Sequence, residues 1–304
     1  MKITRRDFTK SAVGSALLAA SPISLAGPED RIMRAIPSSG EEIPVVGLGT
    51  NRYGVDASEA ARAPLREALS RFHELGGTVI DTAPMYRTSE SVLGDLIAEL
   101  GIRDDLFVAT KVDEEDGRDA SDAQMNDSLT KLQTSSFDLM QVHNLSGWQD
   151  SLPLMREWRD EGRIRYIGIT TSRARQYEDF EAIMRAEELD FIQVNYSLEQ
   201  QESAERLIPL AADLGMGVMV NRAFGGGRIF DQVGDQPLPD WAAEFDCTSW
   251  AQFLLKYVIS HPAVTVTIPG MTKARHVDDN IMAMHGRLPD AELRRRMEEF
   301  FAGL

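Results

Sequence analysis

Four residues of this chain could together reduce a carbonyl group: Asp81, Tyr86, Lys111 and His143. Turning C=O into C–OH needs hydride at carbon and a proton at oxygen. A tyrosine hydroxyl can give that proton, but its ordinary pKa of about 10 makes it a poor partner at neutral pH. A lysine ammonium close to the phenol stabilises the phenolate and is expected to lower that pKa. An aspartate paired with the lysine then fixes the ammonium in place. A histidine nearby can hydrogen-bond the carbonyl oxygen and orient it. Each residue also has an ordinary alternative: Asp81 as a turn residue, Lys111 as a solvated strand end, His143 as a satisfied half-buried histidine, Tyr86 as a loop aromatic. Only convergence gives them joint chemistry, so the elements that carry them decide the question.

Eight short apolar runs recur at 43–50, 77–83, 106–112, 137–144, 165–171, 191–197, 217–223 and 264–270. They are rich in β-branched residues and nearly continuous in apolar character, as expected for parallel strands buried on both faces. Between them lie stretches of helical spacing, among them 58–75, 89–100, 121–132 and 152–161, with Ser, Thr or Asp near the starts and glycine near the ends. Eight such alternations predict an α/β fold of the (β/α)8 (TIM) barrel type, one domain over 27–304. Residues 27–42 read as a lead-in or hairpin and 290–302 as an extra C-terminal helix. A doubly wound sheet would need a G-x-G-x-x-G turn, and GLGTNRYG at 47–54 is not one. In a barrel, functional groups gather where strands end. Asp81, Lys111 and His143 sit at the ends of three consecutive runs, and Tyr86 follows the first.

The chain has 304 residues, 43% hydrophobic and 26% charged, ordinary for a globular protein. Its formal net charge of −16 speaks against sequence-independent binding to nucleic acid or to an anionic membrane. Cys247 is the single cysteine and the five histidines are scattered, so neither an internal disulfide nor a metal site is expected.

The first 26 residues stand apart. MKITRRDFTK is basic, SAVGSALLAA is short and mildly apolar, and SPISLA ends in small residues, the order of an export signal. Arg5-Arg6 followed by Phe8 and Lys10 resembles the twin-arginine motif. The apolar stretch is too short to be a stable membrane span. The expectation is a protein carried folded by the twin-arginine translocase to the periplasm, loaded with any cofactor beforehand. Loss of 1–26 removes four basic residues and one acidic one, leaving a net charge of −19.

From about Val45 to Ile281 the sequence resembles the aldo-keto reductase superfamily. The segments GLGT (47–50), IDTAPMYRTSESVLG (80–94), ATK (109–111), MQVHN (140–144), GRIRYIGIT (162–170), IQVNYS (192–197) and TIPGMTKARHVDDN (267–280) fall in family order. The resemblance implies Tyr86 as general acid, Lys111 and Asp81 as its tuning pair, and His143 as the residue that orients the substrate, a small-molecule aldehyde or ketone. It implies NADP(H) as cofactor, with NAD(H) as the alternative. Gln193 would hold the nicotinamide carboxamide and Tyr196 would stack on the ring. Asp279 and Asn280 would contact the adenosine, with loop 270–276 near its phosphates. The pattern departs from the family at Thr171, which offers a hydroxyl where an amide is common, and at Asn221, where serine is common. Gly270 and His276 stand where many NADPH users carry a lysine and an arginine, so Lys273 and Arg275 would supply the charge for the 2′-phosphate.

Arg52, Tyr53, Trp148 and Phe224 are expected to line a substrate pocket, Trp241 and Trp250 to serve packing, and 222–248 to form a lid. The other functional class is an exported nucleotide-binding sensor or accessory protein that holds NADP(H) without steady carbonyl turnover.

Overall fold

The computed structural model describes residues 30–304; the expected signal at 1–26 lies outside the described residues. β1 (Met33–Ala35) and β2 (Glu42–Pro44) form an antiparallel hairpin. There follow β3 (Leu48–Gly49), α1 (Glu59–Glu74), β4 (Val79–Asp81), α2 (Ser89–Leu100), β5 (Phe107–Val112), α3 (Arg118–Lys131), β6 (Phe137–His143), α4 (Trp148–Asp160), β7 (Ile164–Thr170) and α5 (Tyr177–Ala186). The chain continues through β8 (Phe191–Asn195), α6 (Glu202–Glu205), α7 (Leu207–Asp213), β9 (Gly217–Asn221), α8 (Arg228–Val233), α9 (Trp250–Ile259), β10 (Val266–Thr267), α10 (Ala274–Ile281) and α11 (Ala291–Ala302).

Strands β3 to β10 lie side by side in chain order, every neighbouring pair parallel. The two edges meet: Gly47 N–H donates to the Thr267 carbonyl at 2.8 Å, and Thr267 N–H donates to the Val45 carbonyl at 2.9 Å. This is the (β/α)8 arrangement. Among the described residues no helix is long and apolar enough to cross a membrane.

Because strand side chains alternate, each continuous run feeds two environments. One parity packs outward under the helices, in a large cluster containing Ile80, Val108, Val142, Ile167, Ile192 and Val218. The other parity fills the barrel interior, where Val79, Phe107, Leu139, Phe191, Met219 and Val266 form a separate apolar cluster. Ile36 and Ile43 of the hairpin join that inner cluster, so β1 and β2 plug the end where the strands begin. Toward the other end the inward positions turn polar, with Asp81, Lys111, Gln141 and Gln193 all buried. The apolar floor excludes water from below, and the polar layer above it is the site.

Two helices begin earlier than their spacing suggests. α3 starts at Arg118 and α4 at Trp148, because Ser121 and Ser151 are not caps but buried hydroxyls 3.1 Å apart between the two helices. Segment 222–248, expected as a lid, contains α8 and two short 3-10 segments at 225–227 and 240–245. Trp241 stacks among Phe245, Phe253 and Phe300, and Trp250 against Phe253 and Phe300, which makes both packing residues.

Gly94 marks the closest approach of α2 to α3: a Cβ there would lie 2.2 Å from the Lys131 carbonyl oxygen. Gly94→Ala would gain about 1 kcal/mol of helix propensity, but overpacking against a backbone that cannot rotate away costs about 1–3 kcal/mol. The expected result is a lower thermal midpoint by calorimetry. A raised midpoint would show that the two helices are free to separate.

Candidate active site

Asp81 ends β4, and strand parity points it into the barrel. Lys111, inward on β5, has its ammonium 2.8 and 2.7 Å from the two Asp81 carboxylate oxygens and donates also to the Thr82 carbonyl at 2.7 Å. Lys111 is 1% exposed and Asp81 2%. Burial alone would strip the lysine's proton; the Asp81 charge outweighs it, together with Tyr86, and holds the Lys111 pKa above its ordinary value. Asp81 Oδ1 accepts two further bonds, from Gln141 Nε2 at 3.2 Å and Gln193 Nε2 at 2.9 Å. The pair is therefore bound on several sides, the condition under which a buried ion pair is tolerable.

Tyr86 follows in the turn between β4 and α2. The Lys111 ammonium sits 5.2 Å from its ring centroid, and the His143 ring approaches edge-on with centroids 6.3 Å apart. The four expected residues thus come together. The net shift of the Tyr86 pKa is upward: burial raises it most, Lys111 pulls it down, as expected, and Asp81 pushes it up again. Tyr86 therefore keeps its proton at neutral pH, and Lys111 moderates the shift without reversing it.

His143 ends β6 beside Asp113, a residue the sequence reading did not single out. His143 Nδ1 lies 3.3 Å from Asp113 Oδ2, both side chains 15% exposed. The contact is off the line of a full hydrogen bond and Nδ1 has no other partner. Strand parity was the available signal, since Asp113 is two residues past Lys111 and so shares its inward face. Gln141, two residues before His143, was missed in the same way.

Several expected cofactor contacts are arranged differently. Gln193 is turned inward: besides its bond to Asp81, its Nε2 lies 2.9 Å from Met219 Sδ, and its Oε1 accepts from Thr170 at 2.9 Å. Both hydrogens of that amide are engaged, and its oxygen already accepts one bond. Tyr196 is 1% exposed, with its ring against Tyr257 and His261 and its hydroxyl accepting from Arg294. It stands one residue past inward-facing Asn195, on the opposite parity, and so cannot stack on a ligand in the mouth. Thr171 donates its hydroxyl to Gln176 Oε1 at 2.6 Å and is fully buried, so it braces the turn after β7. Tyr53 is also fully buried, donating to the Met271 carbonyl at 3.0 Å, and is not a lining residue. Trp148 and Phe224 are half-buried and Arg52 is exposed.

Other groups face the mouth with unmet demand. Asn195 Oδ1 and Asn221 Oδ1, at the ends of β8 and β9, are buried without a donor. Their amide nitrogens are directed to the Ser172 and Thr171 carbonyls at 3.0 and 3.5 Å. Gly225, Gly226 and Gly227 all have positive φ, from 56° to 101°, the left-handed backbone that glycine adopts without penalty. Beyond β10, Lys273, Arg275 and His276 are exposed at the N-terminal end of α10, whose first residues have no side-chain cap. Gly270 bridges Gly49 across the barrel seam. Asp279 accepts from Gln252 Nε2 at 2.8 Å, and Asn280 is 4% exposed.

The model of the aldo/keto reductase family matches residues 45–298, and the chain belongs to that family. It is 33% identical over 202 residues to Aldo-keto reductase YhdN of Bacillus subtilis, a match covering 59% of this chain and 58% of that protein. It is 30% identical to Methylglyoxal reductase YeaE of Escherichia coli, covering 86% of this chain and 92% of that one. Among solved structures it is similar to an aldo/keto reductase from Klebsiella pneumoniae in complex with NADP and acetate. The TM-score is 0.72 at 28% identity, over 86% of this chain and 93% of that one.

Removing one partner of the buried pair leaves an uncompensated charge, at a cost of about 3–5 kcal/mol. Lys111→Met and Asp81→Asn should each lower stability strongly in chemical unfolding. The double variant should lose less than the sum of the two. Strict additivity would mean that the pair is not coupled.

Proposed function

We propose that this protein is an NADPH-dependent oxidoreductase that reduces an aldehyde or ketone to an alcohol. The observation that carries the reading is the buried Lys111–Asp81 ion pair set against the Tyr86 ring, with His143 edge-on to the same ring. A Klebsiella relative crystallised with NADP and another with NADPH support the cofactor.

The residues present suit a dinucleotide. The donor-less oxygens of Asn195 and Asn221 would accept from the carboxamide N–H groups, a task the engaged Gln193 leaves open. The left-handed glycines 225–227 and the uncapped start of α10 offer backbone N–H groups to phosphates. Lys273 and Arg275, which make no ion pair among the described residues, would neutralise a 2′-phosphate, with His276 beside them; Asp279 and Asn280 lie on the same helix for the adenosine. When bound, NADPH supplies the hydride.

The protein's part is to move a proton and steady a charge. Burial keeps Tyr86 protonated and ready to donate through its hydroxyl to the carbonyl oxygen. As that proton leaves, the nearby Lys111 ammonium stabilises the phenolate, and the charge is fixed in advance because Asp81 holds Lys111 rigidly. Gln141 and Gln193 tether Asp81 in turn. His143 orients the carbonyl oxygen. Export of the folded, loaded protein through the twin-arginine translocase, to the periplasm, completes the reading and rests on Arg5, Arg6, Phe8 and Lys10.

Tyr86→Phe should lower kcat for aldehyde reduction by about 10²- to 10⁴-fold, the scale of a lost general acid. NADPH affinity, read by fluorescence quenching, should hold. Equal loss of both would make the tyrosine structural. Lys273→Ala combined with Arg275→Ala should raise KM for NADPH while leaving KM for NADH unchanged. An equal rise in both would remove the 2′-phosphate from the account.

A further inference from the structure

We propose that Asp113 is the positioning residue for His143: its carboxylate takes the Nδ1 hydrogen, so that the ring, when it holds a carbonyl oxygen, does so as an imidazolium donating through Nε2. The inference rests on the reductase reading and specifies how its histidine works. Its basis is register. In the β5–β6 pairing Lys111 lies beside Gln141 and Val112 beside Val142. Carried one residue further, the same register sets Asp113 beside His143. The ion pair and its amide form one inward layer, and Asp113 with His143 form the next layer toward the mouth.

The geometry is that of a carboxylate–imidazole pair. Nδ1 and Oδ2 are 3.3 Å apart, and Nδ1 is buried with no other acceptor or donor. Functional hydrogen bonds are often long or tilted in a ligand-free site and tighten when substrate arrives. Asp113 is itself fixed in place. Its N–H donates to Gln124 Oε1 at 2.7 Å, and Gln124 Nε2 donates to Glu114 Oε1 at 2.8 Å, anchoring the loop to α3. Burial tends to raise the Asp113 pKa, but His143, the Ser146 hydroxyl and the Arg173 guanidinium more than offset it and hold the pKa below the usual carboxylate value. Asp113 is thus an anion at neutral pH, and an anion beside Nδ1 requires a hydrogen there.

The consequence follows from the two nitrogens of imidazole. With Nδ1–H given to Asp113, a neutral ring presents only a lone pair at Nε2 and would repel a carbonyl oxygen. The doubly protonated ring donates from both nitrogens, and Asp113 balances its charge. The charged and titratable groups around His143 are Asp113 after β5, Tyr86 after β4 and Arg173 after β7, with Lys111 and Asp81 one layer below.

The test compares wild type with Asp113→Asn and Asp113→Ala in purified full-length protein, using NADPH and a small aldehyde. Expected are unchanged NADPH affinity and thermal midpoint, and kcat/KM lower by about 10- to 100-fold, the scale at which carboxylates behind metal-binding histidines act. The pH dependence of kcat/KM should change in both variants, because the carboxylate that takes the Nδ1 hydrogen is gone. Nitrogen NMR of His143 in protein without substrate should show Nδ1 protonated in wild type and not in Asp113→Ala. That signal is independent of turnover, so it stands or falls separately from the reductase reading; wild type reducing no aldehyde would sink that reading alone. An unchanged pH profile and rate in both variants would overturn the proposal. So would parallel loss of rate, cofactor affinity and thermal stability, which would mark Asp113 as a general structural residue.

Discussion

A lysine with essentially no accessible surface sits in the middle of this barrel, and much else is arranged so that it can. An ammonium in an apolar interior is costly unless a charge and hydrogen bonds meet it on most sides. Asp81 meets it with both oxygens and the Thr82 carbonyl takes a further hydrogen. Asp81 in turn needs partners for its remaining lone pairs, and Gln141 and Gln193 fill them from two other strands. Five residues from β4, β5, β6, β8 and the turn after β4 are thereby locked to one another. The lock also explains why the Gln193 amide nitrogen is not free for a ligand.

The barrel's vertical order follows from the same parity rule. Below the pair, inward positions are apolar and the hairpin of β1 and β2 closes the end, with the Tyr166 hydroxyl donating to Glu41 at 2.6 Å and bonded to the Ser39 hydroxyl at 2.7 Å. At the level of the pair the layer is polar but internally satisfied, except for Gln141 Oε1. Above it lie His143 Nδ1, Asn195 Oδ1 and Asn221 Oδ1, whose hydrogen-bonding capacity is not met by protein among the described residues. Satisfaction declines toward the mouth, as a ligand-binding end requires.

The strand runs were legible in the sequence because both faces of a parallel strand are apolar, and β4 to β9 fall inside the runs read from composition, apart from the first residue of β7. The first run was less clear: 43–50 looked like one strand, yet Ile43 and Pro44 pair with β1 and only Leu48 and Gly49 join the barrel. The four-residue centre was legible because its members end three consecutive strands and the intervening turn. Parity would have corrected Tyr196, one residue past Asn195, and would have found Asp113 and Gln141 by their two-residue spacing from Lys111 and His143. What parity could not give is the direction of the Gln193 amide, which depends on where a carboxylate from a strand four places away ends up. Nor could it give the sign of the Tyr86 shift, where burial has to be weighed against a nearby cation.

The central claim is that the buried Lys111–Asp81 pair governs the proton on Tyr86. The direct measurement is the phenolate absorbance of Tyr86 against pH, taken as the difference between wild type and Tyr86→Phe, and repeated in a Lys111→Met background. Tyr86 is expected to titrate above the ordinary tyrosine value of 10.0 in wild type and higher still without Lys111, since the ammonium is the group that pulls it down. Titration at the same pH in both backgrounds would contradict the claim, and would separate the tyrosine from the pair on which the site is built.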